Sequence, residues 1–134
     1  MSTHGSAERP SPSLALSPGE VHLWLCFHEG AEGRIEASWW EPLSDSERAR
    51  ALRFHFELER FQHLLSRLLV RTVLSHYAPL APRDWAFEAD PLGRPRIAHT
   101  QAGLTDGLDF NLSHTRGLIA LAVTRHAIVG VDVE

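Results

Sequence analysis

The stretches Phe110-Asn111-Leu112-Ser113-His114 and Gly130-Val131-Asp132-Val133-Glu134 decide how this 134-residue chain is read. Together with the apolar run between them they predict three short strands: Phe110 to Ser113, Leu118 to Thr124 and Ile128 to Glu134. His114-Thr115-Arg116-Gly117 reads as the polar turn between the first two, with a glycine where unusual backbone angles are needed. Side chains alternate along a strand, so Asp132 and Glu134 share one face while Val131 and Val133 take the other. Two carboxylates so spaced lie about 7 Å apart, close enough to share one hard cation. Gly130 ahead of them leaves room for a ligand to approach the backbone. Alternating acid on a solvated sheet face gives the same pattern, so Asp-x-Glu alone does not decide between the two.

Working outward, the length suits one small domain with a single core, and 43% hydrophobic residues suit an ordinary globular protein. A net charge of −4 argues against non-specific nucleic-acid binding. No run approaches the roughly 18 apolar residues of a membrane span, and no basic segment followed by an apolar core marks a secretory signal. Cys26 is the only cysteine, in an apolar strand pattern; it reads as a buried structural thiol, consistent with a reducing, cytoplasmic setting.

Residues 1–19 are rich in Ser, Pro, Gly and Ala and read as a disordered tail, leaving 20–134 as the folded unit. Glu20 to His28 alternates as a first strand, with Val21, Leu23, Leu25 and Phe27 on one face and His22, Trp24 and Cys26 on the other, a pattern expected of a strand covered on both sides. Ile35 to Pro42, with Trp39-Trp40, reads as a connector whose aromatics cap the core. Ser44-Asp45-Ser46-Glu47 is a capping box opening a helix to about Phe54. A longer helix is predicted from Glu57 to Tyr77, with Phe61, Leu64, Leu65, Leu68, Leu69, Thr72 and Val73 on its apolar side. Beside that side Arg60, His63, Arg67 and Arg71 form a stripe about 80° wide. Arg48, Arg50 and Arg53 add charge on the preceding helix. Long side chains snorkelling at the core edge would explain the stripe; so would a polyanionic ligand, since arginine suits phosphate geometry. Trp85 to Ala89 alternates as a strand ending at the turn Asp90-Pro91-Leu92-Gly93, and Ala98 to Asp109 reads as a loop. The expected fold is α+β, a small antiparallel sheet packed on the long helix, with Leu64, Leu65, Leu68, Leu69, Phe110, Leu112, Leu121 and Val131 in the core.

Asn111-Leu112-Ser113-His114 followed after a hairpin by Val129-Gly130-Val131-Asp132-Val133-Glu134, with Gly93-Arg94-Pro95 upstream, resembles the signature of the Sfp-type phosphopantetheinyl transferases. The likeness runs from about Val21 to Glu134. Such enzymes move the phosphopantetheine arm of coenzyme A onto a serine of an acyl or peptidyl carrier protein. By this likeness Arg50 and Arg53 approach the ribose phosphate, Arg94 the cofactor end of the cleft, and Ser113 and His114 the phosphates, while Asp132 and Glu134 hold magnesium. Arg94 replaces the family's usual lysine. Gln62 stands where an arginine is frequent, with His63 and Arg60 close by to compensate.

The resemblance also implies a partner for this chain. Family members consist of two similar halves, and the second carries a Trp-x-x-Lys-Glu-type helix that completes the metal site and activates the acceptor serine. These 134 residues resemble the amino-terminal half. A transferase whose carboxy-terminal half lies elsewhere, and a non-catalytic module that binds coenzyme A or a carrier protein, both fit the residues.

Overall fold

The computed structural model describes residues 9–31, 34–127 and 130–134. Their architecture is α+β. A three-stranded antiparallel sheet has the order β1–β5–β4, from β1 (His22–Phe27), β4 (Leu108–Thr115) and β5 (Leu118–Arg125). A two-stranded antiparallel sheet joins β2 (Phe87–Ala89) to β3 (Pro95–Ile97), and the helices are α1 (Asp45–Leu52), α2 (Glu57–Leu74) and the single turn α3 (Ala102–Thr105). The span expected as a loop before β4 thus holds a 3-10 turn at His99–Gln101, α3 and the first residues of β4.

Helix α1 starts where its capping box places it. Ser44 Oγ accepts from the Glu47 amide at 3.2 Å, and Glu47 Oε1 accepts from the Ser44 amide at 2.9 Å. Helix α2 ends at Leu74, three residues short of the expected Tyr77. Ser75 caps it, and His76 and Tyr77 donate their amides only three residues back, to Val73 and Leu74, so the chain tightens into a turn. Tyr77 leaves the helix line to accept a hydrogen bond from Trp24 Nε1 at 2.8 Å, with His22 Nδ1 at 2.8 Å on its other side.

Strand register sorts the side chains of the larger sheet. His22, Trp24 and Cys26 on β1 share a face with Val123, Leu121 and Ile119 on β5 and with Phe110, Leu112 and His114 on β4. This inner face packs on α2. Val70, Val73, Leu74, Tyr77, Phe110, Leu121 and Val123 join Leu16, Leu80, Trp85 and Leu108 in one core, with Trp24, Leu69 and Leu112 packed against it. Of the expected core residues Leu64, Phe110 and Leu121 are buried, whereas Leu65, Leu68, Leu69, Leu112 and Val131 are half-buried. Thr72, expected on the apolar side of α2, is exposed, and Arg71 is buried instead. The helix is covered by α1 and the chain after α2 as well as by the sheet, which turns its buried arc toward Phe61, Ser66 and Arg71.

Four further expectations are corrected. The β4–β5 turn contracts to Arg116-Gly117, because β4 continues through Thr115; Gly117 takes φ +75° there. The third strand expected over Ile128 to Glu134 is not formed by its described residues: 130–134 have no ladder partner, and 128–129 lie outside the described residues. The segment instead meets side chains of β4. The first strand is covered on one side only, since Leu23, Leu25 and Phe27 are 55%, 49% and 75% exposed. Of the stretch read as a disordered tail, residues 1–8 lie outside the described residues. The described remainder docks on the body, with Leu16 buried and the Ser13 and Leu14 amides donating to the His76 carbonyl at 3.1 and 2.9 Å. Among the described residues no helix is long and apolar enough to cross a membrane.

Candidate functional site

A cleft of about 490 Å³ opens between the two helices and the smaller sheet. Arg50 and Arg53 reach it from the end of α1, His63 and Arg67 from α2, and Phe87, Glu88, Ala89, Gly93 and Pro95 from the β2–β3 hairpin. Local sequence sets this up. The four-residue step from His63 to Arg67 puts both on one side of α2. The hairpin turn is closed by Asp90, whose Oδ1 accepts from the Leu92 and Arg94 amides, both at 2.9 Å, with Gly93 at φ +84°. Arg96 pairs with Asp109 at 3.3 Å and ties this hairpin to β4.

Arg71, the fourth member of the basic stripe, is only 2% exposed and is committed elsewhere. Its Nε and Nη2 donate to Glu47 Oε1 at 2.8 and 2.7 Å, and its Nη1 donates to the carbonyls of Pro82 and Trp85, both at 2.9 Å. Its guanidinium also stacks 5.3 Å from the centre of the Phe87 ring. Arg71 therefore binds helices and hairpin together and offers nothing to a ligand. Arg60 is likewise turned inward, donating from Nη2 to the Phe54 carbonyl at 2.8 Å.

Arg50, Arg53 and Arg67, by contrast, make no side-chain hydrogen bond and no ion pair with any described residue. Burial, with Arg50 and Arg71 nearby, draws Arg67 below the ordinary arginine value, and Glu47 opposes the shift. His63 lies against the Phe54 ring at 5.2 Å between centres, and its Nε2 is buried without a hydrogen-bond partner. Burial first, then Arg67 and Arg50, lower its pKa from 6.5 to about 4; Glu47 opposes them and His114 adds slightly to them. A net-negative chain thus gathers three unpaired guanidinium groups and a neutral imidazole around one opening. Such a site suits phosphate groups.

The other expected site residues fall in two places. Ser113 and His114 are consecutive on β4, so they point to opposite sides of the sheet. His114 shares the inner-face side with Ile119 and is felt electrostatically by His63. Ser113 lies on the outer side with Ala120 and holds the terminal segment: its Oγ donates to Asp132 Oδ1 at 3.3 Å and accepts from the Val133 amide at 3.2 Å. Asn111, two residues back on the same face, accepts the Val131 amide at 2.9 Å. Val131 and Val133 are half-buried, and Asp132 and Glu134 are exposed on the other side of the extended segment. Their oxygen donors are open to water, and among the described residues no group of three or more His, Cys, Asp or Glu stands together as a metal site. Arg94 is placed at the hairpin turn, paired with Asp90 at 3.6 Å, while its neighbours Gly93 and Pro95 line the cleft. Arg67 joins the cleft without having been singled out as a ligand residue, and His63 joins it as the neighbour expected to compensate for Gln62. For Arg67, membership in the stripe was the available signal, shared with Arg60 and Arg71, which do other work.

The described residues thus form an α+β domain in which the basic cleft and the exposed acid pair are separate features. Residues 37–126 match the family domain described as 4'-phosphopantetheinyl transferase, N-terminal. The chain belongs to that family. It is 33% identical over 123 residues to 4'-phosphopantetheinyl transferase HetI of Nostoc sp., across 92% of this chain and 51% of the relative. It is 28% identical over 142 residues to a phosphopantetheinyl transferase of Thraustochytrium sp., across 96% of this chain and 47% of the relative. The chain spans about half the length of the curated relatives it matches.

Proposed function

We propose that this chain supplies the coenzyme A-binding half of an enzyme that transfers 4'-phosphopantetheine to a serine of an acyl or peptidyl carrier protein. The observation that carries this reading is the cleft in which Arg50, Arg53 and Arg67 stand without an ion-pair partner among the described residues. In the transfer the carrier serine oxygen bonds to the phosphorus bearing the pantetheine arm. The phosphoanhydride bond breaks and adenosine 3',5'-bisphosphate leaves with the electron pair. Little covalent chemistry falls to the protein, so positioning and charge neutralisation dominate.

Arg50 and Arg53, and Arg67 beside them, take the 3'-phosphate end of coenzyme A. His114 faces the pyrophosphate from β4, and the Gly93-Arg94-Pro95 turn borders the nucleotide. Ser113 positions Asp132 by hydrogen bonding rather than meeting phosphate itself. Asp132 and Glu134 would hold magnesium, which when bound neutralises the pyrophosphate and eases departure of the bisphosphate. A carboxy-terminal half would supply the activating group for the serine. The apolar strip of Leu23, Leu25 and Phe27 is a surface on which a further domain can pack.

The test is coenzyme A binding by calorimetry. Arg50→Ala and His114→Ala should each weaken it roughly ten- to hundredfold, the range for loss of one bond to a charged group. Parental affinity in both variants would refute the placement of the cofactor in this cleft.

A further inference from the structure

We infer that His63 captures a proton when a phosphate group enters the cleft, becoming a fourth cation among Arg50, Arg53 and Arg67. The inference rests on the proposed coenzyme A site and deepens it. In the open cleft His63 is a ring with an unanswered nitrogen: Nε2 is buried and has no hydrogen-bond partner among the described residues. The charged groups around it come from every neighbouring element. Arg50 lies on α1 with Glu47, Arg67 on α2, and His114 on β4; Glu88 on β2 and Arg53 after α1 line the same cleft.

Glu47 is the one carboxylate whose field reaches His63, and it is already engaged by the buried Arg71 and by the Ser44 amide. With burial first, then guanidinium groups on two sides, and with no free acceptor, the imidazole stays neutral well below its usual range. A phosphate dianion leaves the burial in place but offsets the rest. It screens His63 from Arg50 and Arg67, brings negative charge into the opening, and offers an acceptor to the protonated ring. A charged donor to phosphate is about twice as strong as a neutral one, so the bound state favours the imidazolium. Ligand binding and proton uptake at His63 are then linked, and affinity rises as pH falls through the range where the free protein's His63 is still neutral.

The phosphomonoester of the ligand complicates the sign. Its own second pKa is about 6, and a basic cleft drives that proton off. Uptake by His63 and release by the ligand oppose each other, so the wild-type figure alone is not diagnostic. His63→Gln separates them, because it keeps a neutral polar side chain and cannot take the proton.

Coenzyme A should be titrated into the full chain and into His63→Gln by calorimetry at pH 6 and pH 8, in two buffers of different ionisation enthalpy. At pH 8 the two proteins should bind with similar affinity. At pH 6 the wild type should bind about tenfold more tightly and take up close to one proton more than the variant. A direct readout needs no variant: the imidazole proton resonance of His63 should titrate at markedly higher pH with coenzyme A bound than without it. Binding with equal proton uptake in both proteins, or an unmoved His63 titration, overturns the inference and leaves the cofactor reading intact. Failure of the wild type to bind coenzyme A at either pH overturns both.

Discussion

Glu47 shows how much one side chain can decide. Its Oε1 closes the capping box of α1 and also takes two guanidinium hydrogen bonds from Arg71, 24 residues away. Arg71→Met would leave the Pro82 and Trp85 carbonyls without their donor and Glu47 without its countercharge. Loss of one partner of a buried, multiply bonded pair costs about 3–5 kcal/mol. Urea unfolding should show this loss, and a double variant with Glu47→Gln should fall well short of the sum of the single effects. Additive costs would mean that the two residues act independently. His63 sets a second expectation. Its native pKa of about 4 lies below the ordinary 6.5, so the unfolded chain binds the proton more readily. The associated stability is complete above pH 6.5 and is lost as pH falls through 4. For a half-exposed ring this is about 1–2 kcal/mol. Ligand-free wild type should therefore lose more stability than His63→Gln between pH 7 and pH 4.5, and parallel losses would contradict the assignment.

At the scale of elements, β4 does more than fill the sheet. Its inner-face residues Phe110 and Leu112 serve the core, while Asn111 and Ser113 on the other face grip the segment that carries Asp132 and Glu134. The Asn111-Leu112-Ser113-His114 motif is thus a two-sided device whose alternation separates docking of the acid pair from the cleft. Ser113→Ala removes the acceptor of the Val133 amide and the donor to Asp132. The Val133 amide should then exchange about five- to tenfold faster, while the β4–β5 ladder amides keep their protection. An unchanged Val133 rate would show that something other than Ser113 holds the segment.

At the scale of the whole molecule, the unpaired arginines and the acid pair fall on different sides of the larger sheet's third strand, and the exposed strip on β1 adds a third surface. A substrate spanning cleft and acid pair would need walls that these residues do not supply by themselves. We therefore expect the 134-residue chain, incubated with coenzyme A, magnesium and an apo carrier protein, to leave the carrier's mass unchanged. Mass spectrometry decides it. A carrier that gains the phosphopantetheine arm at a rate near that of a full-length relative would mean that the chain assembles a working site by another route, such as self-association.

Local chemistry was legible in the residues themselves. The Ser44–Glu47 capping box, the start of α2 and the Gly93 turn each depend on neighbours a few positions apart, and each formed where its residues stand. The family, too, was readable from short motifs. Other matters rested on partners remote in sequence. Arg67 and Arg71 are alike in type and share a helical stripe, yet one faces the cleft and the other is buried, because Glu47, Pro82 and Trp85 converge only on the second. Val131 to Glu134 alternates like a strand, but side chains of Asn111 and Ser113 occupy its amides, so it lies extended without a ladder. Periodicity tells which residues share a face; only packing tells what that face meets.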